Sequence, residues 1–252
     1  LLKIALKMLI GDRAQYIGII IGLSFASFII SQQSDIFLGL MARTYGFITD
    51  SSPAASWVLD PMVQFIDDIK PLKDTDLFRV RGVPGVEWAT PLYKGLIKAR
   101  IANGKFQICN VIGIDDATLI GGPPKIIKGE ITNLRAPDAI IINKVGTEDK
   151  LSLAKNRPLA MGDTLELNDH RAQVVGICEV SRTFQSQPVI YTTYNRALSF
   201  APPERKQLSF ILVKADPKIG LIKTAENIRR YTGFAAYTQQ EFKNLTVWYF
   251  LT

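Results

Sequence analysis

A stretch without charged side chains, between Arg13 and Asp35, constrains this chain more than any other feature of its sequence. It reads AQYIGIIIGLSFASFIISQQS and covers residues 14–34. As a helix with a rise of about 1.5 Å per residue it reaches about 31 Å, which matches the hydrocarbon thickness of a bilayer. The sequence therefore predicts a transmembrane helix over residues 14–34, preceded by a basic cytoplasmic helix over residues 1–13.

The basic residues before this stretch predict its orientation. Lys3, Lys7 and Arg13 stay in the cytoplasm by the positive-inside bias, so everything after Asp35 lies outside. A cleaved signal peptide is the alternative, because the same residues resemble a basic n-region, but no A-x-A-like cleavage site follows. Tyr16 is a predicted anchor at the membrane interface.

Apolar residues continue after Asp35 as far as Ile48, until a polar segment with a proline, from Asp50 to Pro53, ends the pattern. This predicts one helix from Tyr16 to Ile48, with a periplasmic stalk over residues 35–50. The alternative is a separate amphipathic helix after a break at SQQS, residues 31–34.

A second apolar segment begins at the other end of the chain. Thr238 and Glu241 have the spacing of a capping box, which predicts a helix start. Trp248 and Tyr249 follow and suit the aromatic belt of a membrane interface. Residues 238–252 are therefore predicted to begin a second transmembrane helix. We expect the chain to be part of a longer membrane protein, with a domain inserted between its first two spans.

The region between these helices predicts an α+β domain. A short helix is predicted at PMVQFIDDIK, residues 61–70, and a hairpin around Asn103 and Gly104. After the Gly/Pro break at residues 121–124 the chain reads as short strands and turns. A strand, a helix that ends before Gly233 and a last strand follow. The prediction is an outer α+β subdomain, residues 51–120 and 205–237, with a β-rich subdomain inserted at residues 121–204.

Groups that carry chemistry are sparse in this sequence. The single histidine, His170, is predicted to be a turn residue, because no second histidine, Cys/His cluster or G-x-S-x-G turn accompanies it. Cys109 and Cys178 lie in strand-like runs and are predicted to be buried thiols; an oxidising compartment would permit a bridge between them. No catalytic, metal-binding or cofactor-binding residue and no cofactor are predicted.

The charged residues are equally uninformative about catalysis. The pairs Asp67/Asp68 and Asp115/Asp116 are adjacent, so their side chains point apart, and they are interpreted as solvated or turn residues. No P-loop occurs, so any ATP hydrolysis belongs to another chain. The net charge of +7 is scattered without a basic run among aromatics, so no nucleic-acid partner is predicted.

Several segments together resemble the MacB/FtsX superfamily of ABC transporter permeases, and the DevC-like branch most closely. They are LKIALKMLIGD, the first span, FRVRGVPGVEWATPLYKG, VIGIDDATLIGG and MGDTLELNDHRAQVVGICEV. The resemblance covers nearly the whole chain. It implies an inner-membrane permease whose periplasmic domain has a porter-like α+β part and an inserted β-rich part.

The resemblance also implies partners and a mechanical role. Such a permease works as a homodimer with a cytoplasmic ABC ATPase subunit, a periplasmic membrane-fusion adaptor and, indirectly, a TolC-like outer-membrane protein. The helix over residues 16–48 would transmit motion, with Ser31, Gln32 and Asp35 near the outer interface. A lipoprotein-releasing permease and a membrane-anchored periplasmic sensor or enzyme are the alternatives.

Overall fold

The computed structural model describes residues 13–51, 56–154 and 157–251. These residues divide into two compact units: a helical unit that ends at Ala42 and a folded unit that begins at Arg43. The predicted basic helix over residues 1–13 lies almost wholly outside the described residues, apart from Arg13.

The first element, α1, is one uninterrupted helix, Arg13–Asp50. Its side chains as far as Leu40 are at least partly exposed, although most of them are apolar. The helix ends where the backbone N–H and the hydroxyl of Ser51 both donate to the carbonyl of Phe47, at 3.1 and 2.9 Å. The structure thus shows the continuous helix and no break at residues 31–34. By length and composition α1 is able to cross a membrane.

The folded unit alternates strands and short helices. The strands are β1 (Ser56–Leu59), β2 (Val86–Arg100), β3 (Phe106–Ile114), β4 (Lys125–Lys128), β5 (Ala139–Asn143), β6 (Thr164–Leu167), β7 (His170–Glu179), β8 (Val189–Thr193), β9 (Phe210–Ala215) and β10 (Ala235–Thr238). The α-helices are α2 (Asp74–Arg81), α3 (Lys144–Glu148), α4 (Tyr194–Phe200), α5 (Leu221–Thr232) and α6 (Gln239–Leu251). Short 3-10 helices occupy Ile131–Arg135 and Pro203–Arg205. The predicted α+β fold class is confirmed.

The strands form one sheet in the order β10-β1-β9-β2-β3-β8-β5-β7-β4, and β6 pairs with both β2 and β7. Because β6 joins β7 back to the end of β2, six strands (β2, β3, β8, β5, β7 and β6) form a closed cycle of pairings. Closure removes the free edges that an open sheet of these strands would have. The β3–β8 and β5–β7 pairs are parallel.

Two hydrophobic cores form on the two faces of the sheet, because successive strand residues point to opposite sides. The first core contains Val58, Val111 and Ile140 and is covered by α2, α4 and α5. The second core contains Trp57 and Ile112 and is covered by the end of α1, α6 and the segment between β1 and α2.

The sequence is misleading in the segment at residues 61–70, which is not a helix but a series of turns. The carboxylate of Asp60 accepts the N–H of Met62 at 2.8 Å, and that of Asp68 accepts the N–H of Gln64 at 3.1 Å. These side chains satisfy backbone donors locally and so compete with helix formation.

Helices α2, α3 and α4 were not predicted. Helix α2 has Asp74 and Asp76 in its first turn and Arg79 and Arg81 in its last turn, which is the favourable arrangement for the helix dipole. The expectation for the histidine also needs correction: His170 is not a turn residue but the first residue of β7.

Turns and caps agree with the sequence. The β2–β3 hairpin turns at Asn103 and Gly104, and Gly104 has a φ of 81° that favours glycine. At the start of α6 the N–H of Thr238 donates to the Glu241 carboxylate at 2.7 Å, and the N–H of Glu241 donates to the Thr238 hydroxyl at 3.2 Å. This is the predicted capping box.

Pairing between strands crosses the predicted subdomain boundary. Strand β3, in the segment assigned to the outer subdomain, pairs with β8 of the inserted segment. Strand β2 pairs with β9 at one end and with β6 at the other. The division into an outer and an inserted subdomain stays a prediction. The strands of the two predicted subdomains belong to one sheet.

Candidate functional site

The last eight residues of α1, Arg43–Asp50, belong to the folded unit, and we call them and their contacts the junction. Thr44, Gly46 and Ile48 are buried there, and because Gly46 lies nearly opposite the other two around the helix axis, this end of the helix is enclosed on more than one side. A Cβ atom placed on Gly46 would lie 2.6 Å from the Cβ of Ser181. Only glycine therefore allows the helix to approach the chain after β7 this closely.

The helix end is also fixed by a carboxylate. The backbone N–H and the hydroxyl of Ser181 both donate to Asp50, at 2.7 and 3.0 Å. Burial raises the pKa of Asp50 above its ordinary value, and the two bonds from Ser181 oppose that shift in pKa without cancelling it. Asp50 thus joins α1 to the strand β7 that precedes Ser181.

A third contact joins α1 to α6. The side-chain amide of Gln239 donates to the carbonyl of Ile48 at 2.8 Å, so it satisfies one of the unpaired carbonyls at the helix end. Phe47 and Phe242 both pack on the ring of Trp57, with centroid distances of 5.9 and 5.5 Å. The ends of two apolar helices therefore meet over the same residue of β1.

A buried charge lies under the junction. The side chain of Lys94, on β2, is only 3% exposed, and its ammonium forms an ion pair with Asp67. The same ammonium lies 5.9 Å from the centroid of the Phe47 ring. Lys94 thereby contacts both α1 and the segment between β1 and α2.

Polar groups at the junction are not all paired. The side-chain oxygen of Asn110, on β3, is buried and has no hydrogen-bond partner among the described residues. It lines a cavity of about 20 Å³ together with Thr44, Asp50 and Lys94. A cavity of this size and polarity accommodates about one water molecule. This part of the junction is therefore polar, whereas Phe47 and Ile48 join it to the apolar core around Trp57.

A comparison with known protein families assigns most of the chain to one of them. Residues 16–231 match the family described as the MacB-like periplasmic core domain. The chain belongs to this family. Family membership supports an ABC-type permease, and together with α1 it indicates a membrane-anchored protein whose domain lies outside the cytoplasm. No curated protein matches the chain.

Solved structures share the fold of this MacB-like chain. The periplasmic region of MacB from Actinobacillus actinomycetemcomitans matches with a TM-score of 0.54 and 15% identity, over 77% of this chain and 92% of that one. The extracellular domain of the noncanonic ABC-type transporter YknZ from Gram-positive bacteria matches with a TM-score of 0.51 and 14% identity, over 73% of this chain and 100% of that one. Both are periplasmic or extracellular parts of ABC-type transporters.

The residues predicted as transmission elements and anchors lie apart from the junction in sequence. Ser31, Gln32, Asp35 and Tyr16 are exposed residues of α1 in the helical unit. On α6, Trp248 is 64% exposed. Tyr249 is 43% exposed, and its ring stacks on Phe65 at a centroid distance of 4.3 Å. The membrane roles of these residues stay predictions.

Side chains that commonly bind metals or act in catalysis are dispersed in the described part of this MacB-like domain. Among the described residues, no group of three or more His, Cys, Asp or Glu side chains could hold a metal ion. Both cysteines are buried and free rather than bridged. Burial raises the pKa of each thiol, Cys109 and Cys178, to about 12.

The contacts at the junction were not predicted from the sequence. Asp67, interpreted as a solvated or turn residue, is exposed and lies in a turn, but its ion pair with Lys94, 27 residues away, was not predicted. The pattern of β2 does indicate an unusual lysine, because Lys94 lies between Leu92 and Leu96 on the same face of the strand. Gly46 carried no comparable signal, because its role depends on Ser181.

Proposed function

We propose that this chain is the permease subunit of a tripartite ABC export system. It transmits ATP-driven motion from a separate cytoplasmic ATPase subunit to its periplasmic domain. That motion drives export of lipid, glycolipid or other cargo through a periplasmic adaptor and a TolC-like outer-membrane duct. The permease is a homodimer in the bacterial inner membrane, with the bulk of this chain in the periplasm. The ATPase, rather than this chain, is the enzyme.

One observation supports this proposal above all: α1 is a single helix, Arg13–Asp50, and Thr44, Gly46 and Ile48 near its end are buried in the folded unit. A helix satisfies its backbone hydrogen bonds internally, so it can cross lipid and remain rigid. Residues 16–48 then act as the transmission element. Displacement of the helix end acts directly on the neighbours of Asp50, Ile48 and Phe47.

Those neighbours distribute the motion over the domain. Ser181 follows β7, Gln239 begins α6, and Lys94 lies in the middle of β2. A movement of α1 therefore reaches the strand cycle through β7 and β2. It reaches α6, the second apolar helix, through Gln239 at its start.

A proline within α1 tests the transmission. Ile36→Pro removes a backbone donor and kinks the helix. We expect the intact transporter, reconstituted with its ATPase in lipid vesicles, to hydrolyse ATP but to export cargo at a strongly reduced ratio of cargo to ATP. Ile36→Ala keeps the helix and is the matched control. If Ile36→Pro keeps the wild-type ratio, α1 does not transmit the motion.

A further inference from the structure

The hairpin formed by β2 and β3 has an uncovered apolar face. Leu96, Phe106 and Ile108 are 43%, 57% and 51% exposed. The strand register pairs Lys98 with Ile108 and places these side chains on the same face of the two strands. Together with Lys98 they line an open hollow of about 470 Å³. We call Leu96, Lys98, Phe106 and Ile108 the hairpin face.

The exposure is local to this part of the two strands. On the opposite face of the hairpin, Ile97 and Cys109 are buried in the first core. On the same face but nearer the junction, Leu92 and Ile112 are buried in the second core. An apolar patch rimmed by polar groups, on strands that are otherwise covered, is typical of an interaction site.

The charge of the hairpin face is positive. The ammonium of Lys98 lies 3.8 Å from the centroid of the Phe106 ring. Neither Lys98 nor Lys105, in the turn of the hairpin, forms an ion pair with any residue that the structure describes. The neighbouring Arg100 is neutralised by Glu166. Two lysines thus remain available to carboxylates from outside.

The backbone beside the face has no strand on its outer side, although the carbonyl of Ile108 accepts from the side-chain amide of Gln107 at 3.1 Å. Strand β8 pairs with β3 only from Asn110 to Ile114, so residues 106–109 have a paired strand only on the β2 side. Unpaired strand backbone is a template for another polypeptide rather than for a lipid. The hollow is wide and shallow, whereas sites for small apolar ligands enclose most of the ligand surface.

We propose that the hairpin face docks a partner protein that presents apolar side chains flanked by carboxylates. The proposal rests on the proposed function for the identity of that partner, which is the periplasmic adaptor. Its apolar side chains cover Leu96, Phe106 and Ile108, and its carboxylates pair with Lys98 and Lys105.

The test measures binding of the purified adaptor to the full permease in detergent, with three variants. Ile108→Glu introduces a carboxylate into the apolar patch, and Lys98→Glu reverses the charge of an exposed side chain without entering a core. We expect each to weaken adaptor binding at least about tenfold, as for residues at the centre of an interface. Ile222→Glu is the control, because Ile222 is 70% exposed on α5 and lies outside the hairpin. It should bind as the wild type does.

The outcomes separate this proposal from the proposed function. Adaptor binding that all three variants keep, in a transporter that still exports, overturns the hairpin face alone. Failure of the wild-type permease to bind the adaptor overturns both proposals. After reconstitution in vesicles containing anionic lipid, quenching of a probe on the hairpin face by labelled lipid headgroups in the wild type but not in Lys98→Glu would assign the face to a membrane and overturn the docking of a protein.

Discussion

Lys94 carries a positive charge into a part of the sheet where its neighbours on the strand are apolar. Its ion pair with Asp67 is asymmetric, because the lysine side chain is 3% exposed and the aspartate side chain 51%. Losing the carboxylate leaves a buried ammonium without a counter-charge, whereas losing the lysine leaves a carboxylate that water can hydrate.

We therefore expect Asp67→Asn to lower the free energy of unfolding by about 1–3 kcal/mol, and Lys94→Met to lower it by less than about 1 kcal/mol. Chemical denaturation of the chain in detergent measures both values. Glu179→Gln is the control, because it breaks an exposed pair with Lys125 and should leave the free energy of unfolding close to that of the wild type. The reverse ranking of the two junction variants would show that the ion pair does not control stability here.

Asp50 gives the junction a dependence on pH. Its pKa is raised in the folded chain, so the folded state holds this proton more tightly than the unfolded state does. Its contribution to stability is present below the ordinary pKa of an aspartate and is lost as the pH rises through the raised pKa.

Asp50→Asn cannot ionise, and its amide can still accept from the N–H of Ser181 and donate to the Ser181 hydroxyl. We expect the melting temperature of Asp50→Asn, relative to the wild type, to increase from acidic to neutral pH. Taking this difference cancels the titration of the other groups. A difference that is constant, or that falls as the pH rises, contradicts the raised pKa.

At the scale of elements, Gly46 tests how tightly α1 is packed into the folded unit. A methyl group there would meet the Cβ of Ser181 at 2.6 Å, so we expect Gly46→Ala to cost about 1–3 kcal/mol by overpacking, despite the better helix propensity of alanine. Gly39 lies in the same helix with open space around its Cα. Gly39→Ala should therefore leave stability unchanged or raise it by up to about 1 kcal/mol. Thermal unfolding compares the two, and equal effects would mean that Ser181 moves aside.

Elements set by neighbouring residues were predictable, and those set by distant residues were not. The Asn103–Gly104 turn and the Thr238–Glu241 cap depend on residues within a few positions, so the sequence alone identifies them. The segment at residues 61–70 has a helical pattern of apolar residues, but Asp60 and Asp68 bind its backbone instead. Its apolar residues Val63 and Ile66 are buried without a helix.

At the scale of the whole molecule, the class of fold and the single long helix could be predicted, but the strand cycle could not. The β2–β6 pairing joins Ala99 to Leu167, and nothing in the local pattern of either strand indicates the other. The junction has the same limitation, since Asp50 meets Ser181 across 131 positions. The hydrophobic patterns show which residues are buried, but they do not show which buried residues face each other.

The two cysteines allow a test of whether the folded unit unfolds as a whole. Cys109 lies in the first core and Cys178 in the second, on opposite faces of one sheet. Because burial raises the pKa of both thiols to about 12, neither reacts appreciably with a maleimide while it stays folded. The same strands contribute residues to both cores, so one core cannot be lost without disturbing the other.

We therefore expect the variants Cys109→Ala and Cys178→Ala to expose their remaining thiol at the denaturant concentration at which tryptophan fluorescence reports unfolding of the same variant. Comparing each thiol with the fluorescence of its own variant corrects for the stability that each substitution removes. Trp57 lies in the second core and Trp88 packs against it, so the fluorescence reports that core. If Cys109 stayed unreactive at denaturant concentrations that had already changed the fluorescence of Cys178→Ala, the second core would open separately. The end of α1 packs in that core. Separate opening would therefore mean that α1 can be released while the sheet and the first core stay folded. A displacement of the helix would then not reach the rest of the domain.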